Sequence, residues 1–190
     1  AWDCLPYDRV GPGQTVMSQR MSTLAGLAKL KETDAPYILL TSINAVLQKL
    51  PAREIVKKQS FSARVGDNVD MDGLLLFLSE NGFIRSSLVM EQGDFAIRGS
   101  IVDLFPPGEE MPFRLDFFGE TLETIRVFEP ENQRSQDKRE EINLYQASEI
   151  RLDDETVTRF RQGYVQQFGP ATSRDQLYEA ISDKRRHQGM

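Results

Sequence analysis

A chain of 190 residues, 39% apolar and 27% charged, suits one large domain or two small ones, and its composition is globular and not that of a disordered chain. About 70% of the unfolded surface of such a chain is buried on folding, enough for a real core. One cysteine, Cys4, excludes an internal disulfide, and one histidine, His187, removes most zinc sites and most histidine-based catalysis.

The lone cysteine fits a reducing, cytoplasmic setting. The longest apolar runs, such as Leu74–Leu78, fall far short of the ~20 residues that cross a bilayer. No basic start with an apolar stretch suggests a signal peptide, so no membrane partner is expected. The net charge of −6 is unevenly placed. Residues 1–53 carry six basic and four acidic side chains, residues 54–146 ten and eighteen, and residues 147–190 seven of each. Phosphate binding asks for a basic face, and the middle of this chain has the opposite sign. A protein partner is the better expectation.

In chain order, Ala1 is not an initiator methionine, and the expectation is an excised piece of a longer protein. Gly11–Pro12–Gly13 reads as a turn before a helix over Ser18–Leu30, with Met17, Met21, Leu24, Leu27 and Ala28 on one face. Thr33–Pro36 breaks it. Tyr37–Thr41 reads as a strand buried on both faces of a parallel sheet. Ser42 caps a second helix, Ile43–Leu50, which Pro51 ends. This order describes part of an α/β unit.

The grammar then changes. Ser60–Val65 alternates as a strand, and Gly66–Asp67 turns it. Asp70 or Asp72 caps a helix through Leu74, Leu75 and Leu78, which stops at Asn81–Gly82. Phe83–Met90 is expected to be extended. Gln92–Asp94 turns into one long strand, Phe95–Phe105, ended by Pro106–Pro107–Gly108. Phe113–Phe118 and Thr121–Phe128 form a hairpin on Gly119–Glu120, a glycine-first pair suited to a type II′ turn. Glu131–Glu141 is almost wholly polar and reads as a flexible loop, with Ile142–Leu152 extended after it. Two amphipathic helices close the chain: Asp154–Phe168, stopped by Gly169–Pro170, and Arg174–His187, opened by a Ser173/Gln176 capping box.

No catalytic constellation emerges. Gly11–Pro12–Gly13 lacks the Gly–Lys–Ser/Thr ending of a phosphate loop. Asp153–Asp154–Glu155 fits a helix macrodipole better than a metal, and Lys184–His187 fits a solvated helix end. No cofactor and no metal ligand set is expected. The informative element is the strand after Pro112. Period-two alternation sends Phe113, Leu115 and Phe117 to the core, and Arg114, Asp116 and Phe118 to the other face. Arg98, in the preceding strand, can join that face. Two charges are ordinary on a solvated sheet, and one exposed phenylalanine can be incidental. Arginine and aromatic residues together are also the composition of interface hot spots.

Two stretches carry a resemblance. Gln92-Gly93-Asp94-Phe95-Ala96-Ile97-Arg98-Gly99-Ser100-Ile101-Val102-Asp103-Leu104-Phe105-Pro106 resembles the first signature of the UvrB-like module. Pro112-Phe113-Arg114-Leu115-Asp116-Phe117-Phe118, followed by Leu122 and Ile125-Arg126-Val127-Phe128, resembles the second. Leu5-Pro6-Tyr7-Asp8, Ser18–Leu24 and Thr41–Pro51 resemble the transcription-repair coupling factor family more than the excision-repair subunit UvrB. The tyrosine-rich DNA-gripping hairpin of UvrB has no counterpart between Asp8 and Ser18.

The resemblance implies a fold that is part α/β and part α+β. A partial helicase-like layer, residues 1–53 (end of domain 1a) and 147–190 (start of domain 1b), holds an inserted, mostly antiparallel UvrA-binding domain, residues 54–146. It implies an adaptor that recruits UvrA in transcription-coupled nucleotide excision repair, with Arg98, Arg114, Asp116 and Phe118 at the contact. It further implies forked bonds from both arginines to UvrA carboxylates, and a C-terminal domain elsewhere in the protein that masks this surface. RNA polymerase and DNA are engaged through domains outside this chain, as is the ATP-driven translocase, so no enzyme activity is expected here. The alternatives are a piece of UvrB, or a structural domain with no UvrA contact.

Overall fold

The computed structural model describes residues 11–31, 35–171 and 175–187. Cys4, Leu5–Asp8, Thr33, Asp34 and Ser173 lie outside the described residues.

Helix α1, Gln14–Lys29, starts directly after Gly13, four residues before the expected Ser18. No proline or glycine interrupts Gln14–Met17, and the Met17 N–H already donates to Gly13 O, 3.0 Å. Met17, Met21, Ala25 and Ala28 are its buried stripe. Ser42 caps α2 as expected, its hydroxyl accepting from Ala45 N at 3.3 Å, but α2 spans only Ile43–Val46. A helix that the sequence reading missed follows, α3, Arg53–Lys58. Its Val56 packs with Ala25, Ala28 and Tyr145, and Arg53 Nε donates to Ala28 O at 3.0 Å.

Tyr37–Thr41 is not a strand. Ile38 is 89% and Leu40 88% exposed. A continuous apolar run is buried only between neighbouring strands, and no strand among the described residues runs beside it.

The middle of the chain is built on two sheets. Strand β1, Ser60–Arg64, pairs antiparallel with β8, Glu141–Tyr145. The larger sheet has six strands in the order β2-β3-β4-β5-β6-β7. These are Ile84–Arg85, Asp94–Arg98, Ile101–Leu104, Phe113–Phe118, Thr121–Phe128 and Ser135–Arg139. Only β2 and β3 run parallel. Helix α4, Met71–Glu80, is capped by the Asp70 carboxylate on Asp72 N, 3.1 Å, and stops where Gly82 takes φ 93°. Its Leu74 and Leu78 join Phe113, Leu115, Phe117, Leu122, Ile125 and Val127 from one face of the sheet and Ile142 and Leu144 from β8. That is the main core, and the class is the expected mixture of helices with mostly antiparallel sheet.

Three expected segments are rearranged. The long strand Phe95–Phe105 is two strands, β3 and β4, folded back on Gly99–Ser100, where Gly99 takes φ 63°. Each arm alternates, but the core positions change from Phe95 and Ile97 to Val102 and Leu104, the phase break that a two-residue turn makes and that one long strand would not show. The polar Glu131–Glu141 segment contains β7, wholly exposed and paired with β6. It is an edge strand, and the charges that read as loop are those that keep an edge from pairing further. Phe83–Met90 forms only the two-residue β2, and the extended stretch from Ile142 stops at Tyr145.

At the end of the chain α5, Asp154–Phe168, is capped by the Asp153 carboxylate on Thr156 N at 2.8 Å. Helix α6 spans Gln176–Ser182, shorter than the expected Arg174–His187, and its N-cap is Asp175. It stops because Lys184 takes φ 56°. Lys184 N then donates to Ile181 O (3.0 Å) and Arg185 N to Ala180 O (2.7 Å), a Schellman closure with lysine where glycine is usual.

Candidate functional site

The face of the six-stranded sheet turned away from α4 carries the predicted residues. Register places Arg98 across from Ile101, and Ile101 across from Asp116, so the three lie in one row over β3, β4 and β5. The next row runs Ala96, Asp103, Arg114, Arg126 and Lys138 across five strands. Phe117 N–H donates to Ser100 O at 3.0 Å, which sets the β3–β4 turn beside the end of β5, where Phe118 stands 77% exposed. The alternation read from sequence therefore holds: Phe113, Leu115 and Phe117 are buried in the main core.

Arg114 is not a free reaching side chain. Its Nε and Nη2 donate to Asp103 Oδ1 and Oδ2 at 2.7 and 2.9 Å, a forked pair. Its Nη1 donates to Gln133 O (3.2 Å) and Ser135 Oγ (3.3 Å), and its guanidinium lies 4.6 Å from the Phe128 ring centroid. Beneath it Phe128, Val89, Ala96 and Phe105 form a second, smaller core on this outer face. Gln133 presents its carbonyl from a left-handed backbone, φ 60°. The hydrogen bonds to Asp103 hold the Arg114 pKa above its ordinary value, against the opposing effect of burial.

The forked bonds that the resemblance assigned to Arg114 are thus made within the chain. The reason is the β3–β4 hairpin, which turns Asp103 onto this face directly across from Arg114. Arg98 differs. Its Nη2 stays 3.6 Å from Asp103 Oδ2, and its side chain is 45% exposed. Asp116 is half-buried and makes no ion pair among the described residues.

Sequence reasoning missed Asp103, Arg126 and Lys138 as members of this face. Arg126 and Lys138 are exposed and without ion pairs among the described residues; Arg126 lies across from Arg114, and Lys138 across from Arg126. Alternation in Thr121–Phe128 carried the signal for Arg126. Lys138 had none, because its segment read as loop. The outer face of an acidic chain thereby presents a row of three cations against one buried carboxylate. No group of three His, Cys, Asp or Glu side chains among the described residues can hold a metal ion.

Residues 61–150 match the family model of the UvrB interaction domain. The chain is 32% identical over 181 residues to the transcription-repair-coupling factor of Escherichia coli (strain K12), covering 95% of this chain and 15% of that protein. It is 34% identical over 182 residues to that of Haemophilus influenzae, covering 95% and 16%. The match to the Myxococcus xanthus protein is 36% over 157 residues, covering 83% and 13%. Over nearly its whole length this chain is similar to one segment of transcription-repair-coupling factors, and its middle matches the UvrB interaction domain. It spans about one sixth of the length of the relatives it matches. The matched domain begins in β1 and ends beyond β8, so it contains both sheets, α4 and the whole outer face.

Proposed function

We propose that this chain is an adaptor whose outer sheet face docks UvrA, bringing it to transcription-coupled nucleotide excision repair. The observation that carries the reading is Phe118, a large apolar side chain 77% exposed on the sheet face that also carries the half-free guanidinium of Arg98, inside a domain matched to a UvrB interaction family. Phe118 fills an apolar pocket on UvrA, and Arg98 takes a carboxylate in a charge-assisted pair. Arg126 and Lys138 extend the cationic row, and Asp116 gives the partner one place for a donor. Arg114 acts indirectly: it fixes Asp103, which orients Arg98 from behind.

The chain works by binding. In the longer protein a C-terminal domain masks the same face, and contacts with RNA polymerase and DNA, together with the translocase, lie outside this segment. A titration of this chain with UvrA tests the reading, run beside folded Arg98→Ala and Phe118→Ala variants. Each substitution is expected to weaken binding by about 2 kcal/mol, the scale of an interface hot spot. Unchanged affinity in both variants moves the site elsewhere. Absence of any binding ends the proposal.

A further inference from the structure

On the opposite side of the sheet, at its β2 edge, lies an open cleft of about 510 Å³ between β2, β3, α4 and the turn after α6. Its floor is apolar: Leu75, Phe83, Ile84, Phe95, Ile97 and Leu152. Its rim is cationic, with Arg85, Lys184, Arg185 and Arg186. Lys184 pairs with Asp154 at 2.9 Å and Arg185 with Asp183 at 3.0 Å. Arg85 and Arg186 have no ion pair among the described residues.

Arg186 is the unusual group. It is largely buried, its Nη2 donates to Ile150 O at 3.0 Å, and its Nε is buried with no hydrogen-bond partner. Burial lowers its pKa to about 10, so it is still charged at neutral pH. A buried cation without a counter-ion is costly, and folding alone does not ask for it. Its place is enforced: the left-handed Lys184 and the Schellman closure after α6 turn Arg185 and Arg186 back over the cleft. Gly82 leaves the room, since a Cβ there would lie 2.5 Å from Arg186 Nη2.

We propose that this cleft is a second docking site, for an acidic peptide segment of a protein partner that lays a bulky apolar side chain on the floor and a carboxylate against Arg186. The charge balance selects an anion, and the apolar floor selects a hydrophobic residue next to it. Among the described residues β2 is an edge strand and the cleft is open along it, so an extended peptide can also pair with the sheet, which an enclosed pocket for a small molecule would not need. The site lies on the other face from Arg98, Asp116 and Phe118 and is independent of the UvrA reading.

The test is a nuclear magnetic resonance titration of this chain with short peptides holding Leu, Ile, Phe or Trp between Asp and Glu residues, each beside its Asn/Gln counterpart. At least one acidic peptide should bind saturably. Its shifts should centre on the methyls of Leu75, Ile84, Ile97 and Leu152, and its affinity should exceed that of the neutral counterpart at least tenfold. Arg186→Met should lose that preference and Arg186→Lys should keep part of it, with Arg85→Ala as the second variant if Arg186→Met does not fold. Saturation by no peptide, equal affinity for neutral counterparts, or shifts that miss the cleft overturns the proposal. Phe118→Ala should leave this binding unchanged.

Discussion

Arg114 and Asp103 form a forked pair, 2.7 and 2.9 Å, in which the carboxylate is 1% exposed and the guanidinium side chain 19%. It is a largely buried ion pair on the same sheet face as the exposed Phe118 and the half-exposed Arg98. Such a pair adds little net stability over an apolar substitute, but breaking one side leaves the other charge stranded. Here the pair fixes geometry. It holds the Glu129–Ser135 loop through Gln133 and Ser135, covers Phe128, and sets the carboxylate against which Arg98 rests.

Asp103→Ala and Arg114→Ala should each destabilise the chain by about 3 kcal/mol or more, because each strands a buried partner. Urea denaturation of the two single variants and the double variant measures this. The double variant should be clearly more stable than the sum of the singles predicts. Additive losses would mean that the pair is not coupled.

Phe118→Ala and Arg98→Ala should leave stability within about 0.5 kcal/mol, since both side chains are exposed. The same substitutions should weaken UvrA binding by about 2 kcal/mol each. A thermal melt beside the UvrA titration separates folding from docking. A large loss of stability in either variant would place that residue in the core instead.

Gly82→Ala should cost more than about 1 kcal/mol. Gly82 holds φ 93°, and an added Cβ would sit 2.9 Å from Ser148 N and 2.5 Å from Ser148 Cβ. The backbone conformation and the contact both oppose the substitution. Chemical denaturation reads the loss, and wild-type stability in the variant would show that the turn after α4 can open.

The Asp153 carboxyl has a lowered pKa. Burial, the largest single influence, raises it, but hydrogen bonds from Thr156 together with the charges of Arg151 and Arg159 more than offset that. A carboxyl whose pKa is depressed on folding stabilises the fold above its unfolded value, about 3.9, and that contribution is lost as pH falls through the folded value. Helix α5 should therefore lose stability below about pH 4, and Asp153→Asn should flatten this acid limb. Hydrogen exchange at the α5 amides against pH provides the measurement.

Much of this fold is legible in the sequence because its signals are local. Asp70 and Asp153 cap helices, Gly82 and Gly119 take left-handed turns, and alternation in Phe113–Phe118 assigns each side chain a face. Those rules depend on neighbours within a few residues. The same rules fail at Tyr37–Thr41, whose apolar pattern needs strands beside it to become a strand. They fail again at Ser135–Arg139, where pairing with β6 overrides a polar composition.

By itself, then, the sequence determined the outward direction of Arg114, Asp116 and Phe118, and the family signature around Arg98. Which partners those side chains have within the chain was decided only in three dimensions. Asp103 lies eleven positions from Arg114, and only the Gly99–Ser100 hairpin and the β4–β5 register set the two carboxylate oxygens against the guanidinium. Arg186 likewise reads as one residue of a solvated basic run until the turn at Lys184 brings it to the cleft that Phe83 and Leu152 also line. Alternation and caps are properties of the local backbone. A charge's partner, or its lack of one, is a property of the tertiary contacts that decide how much water remains around it.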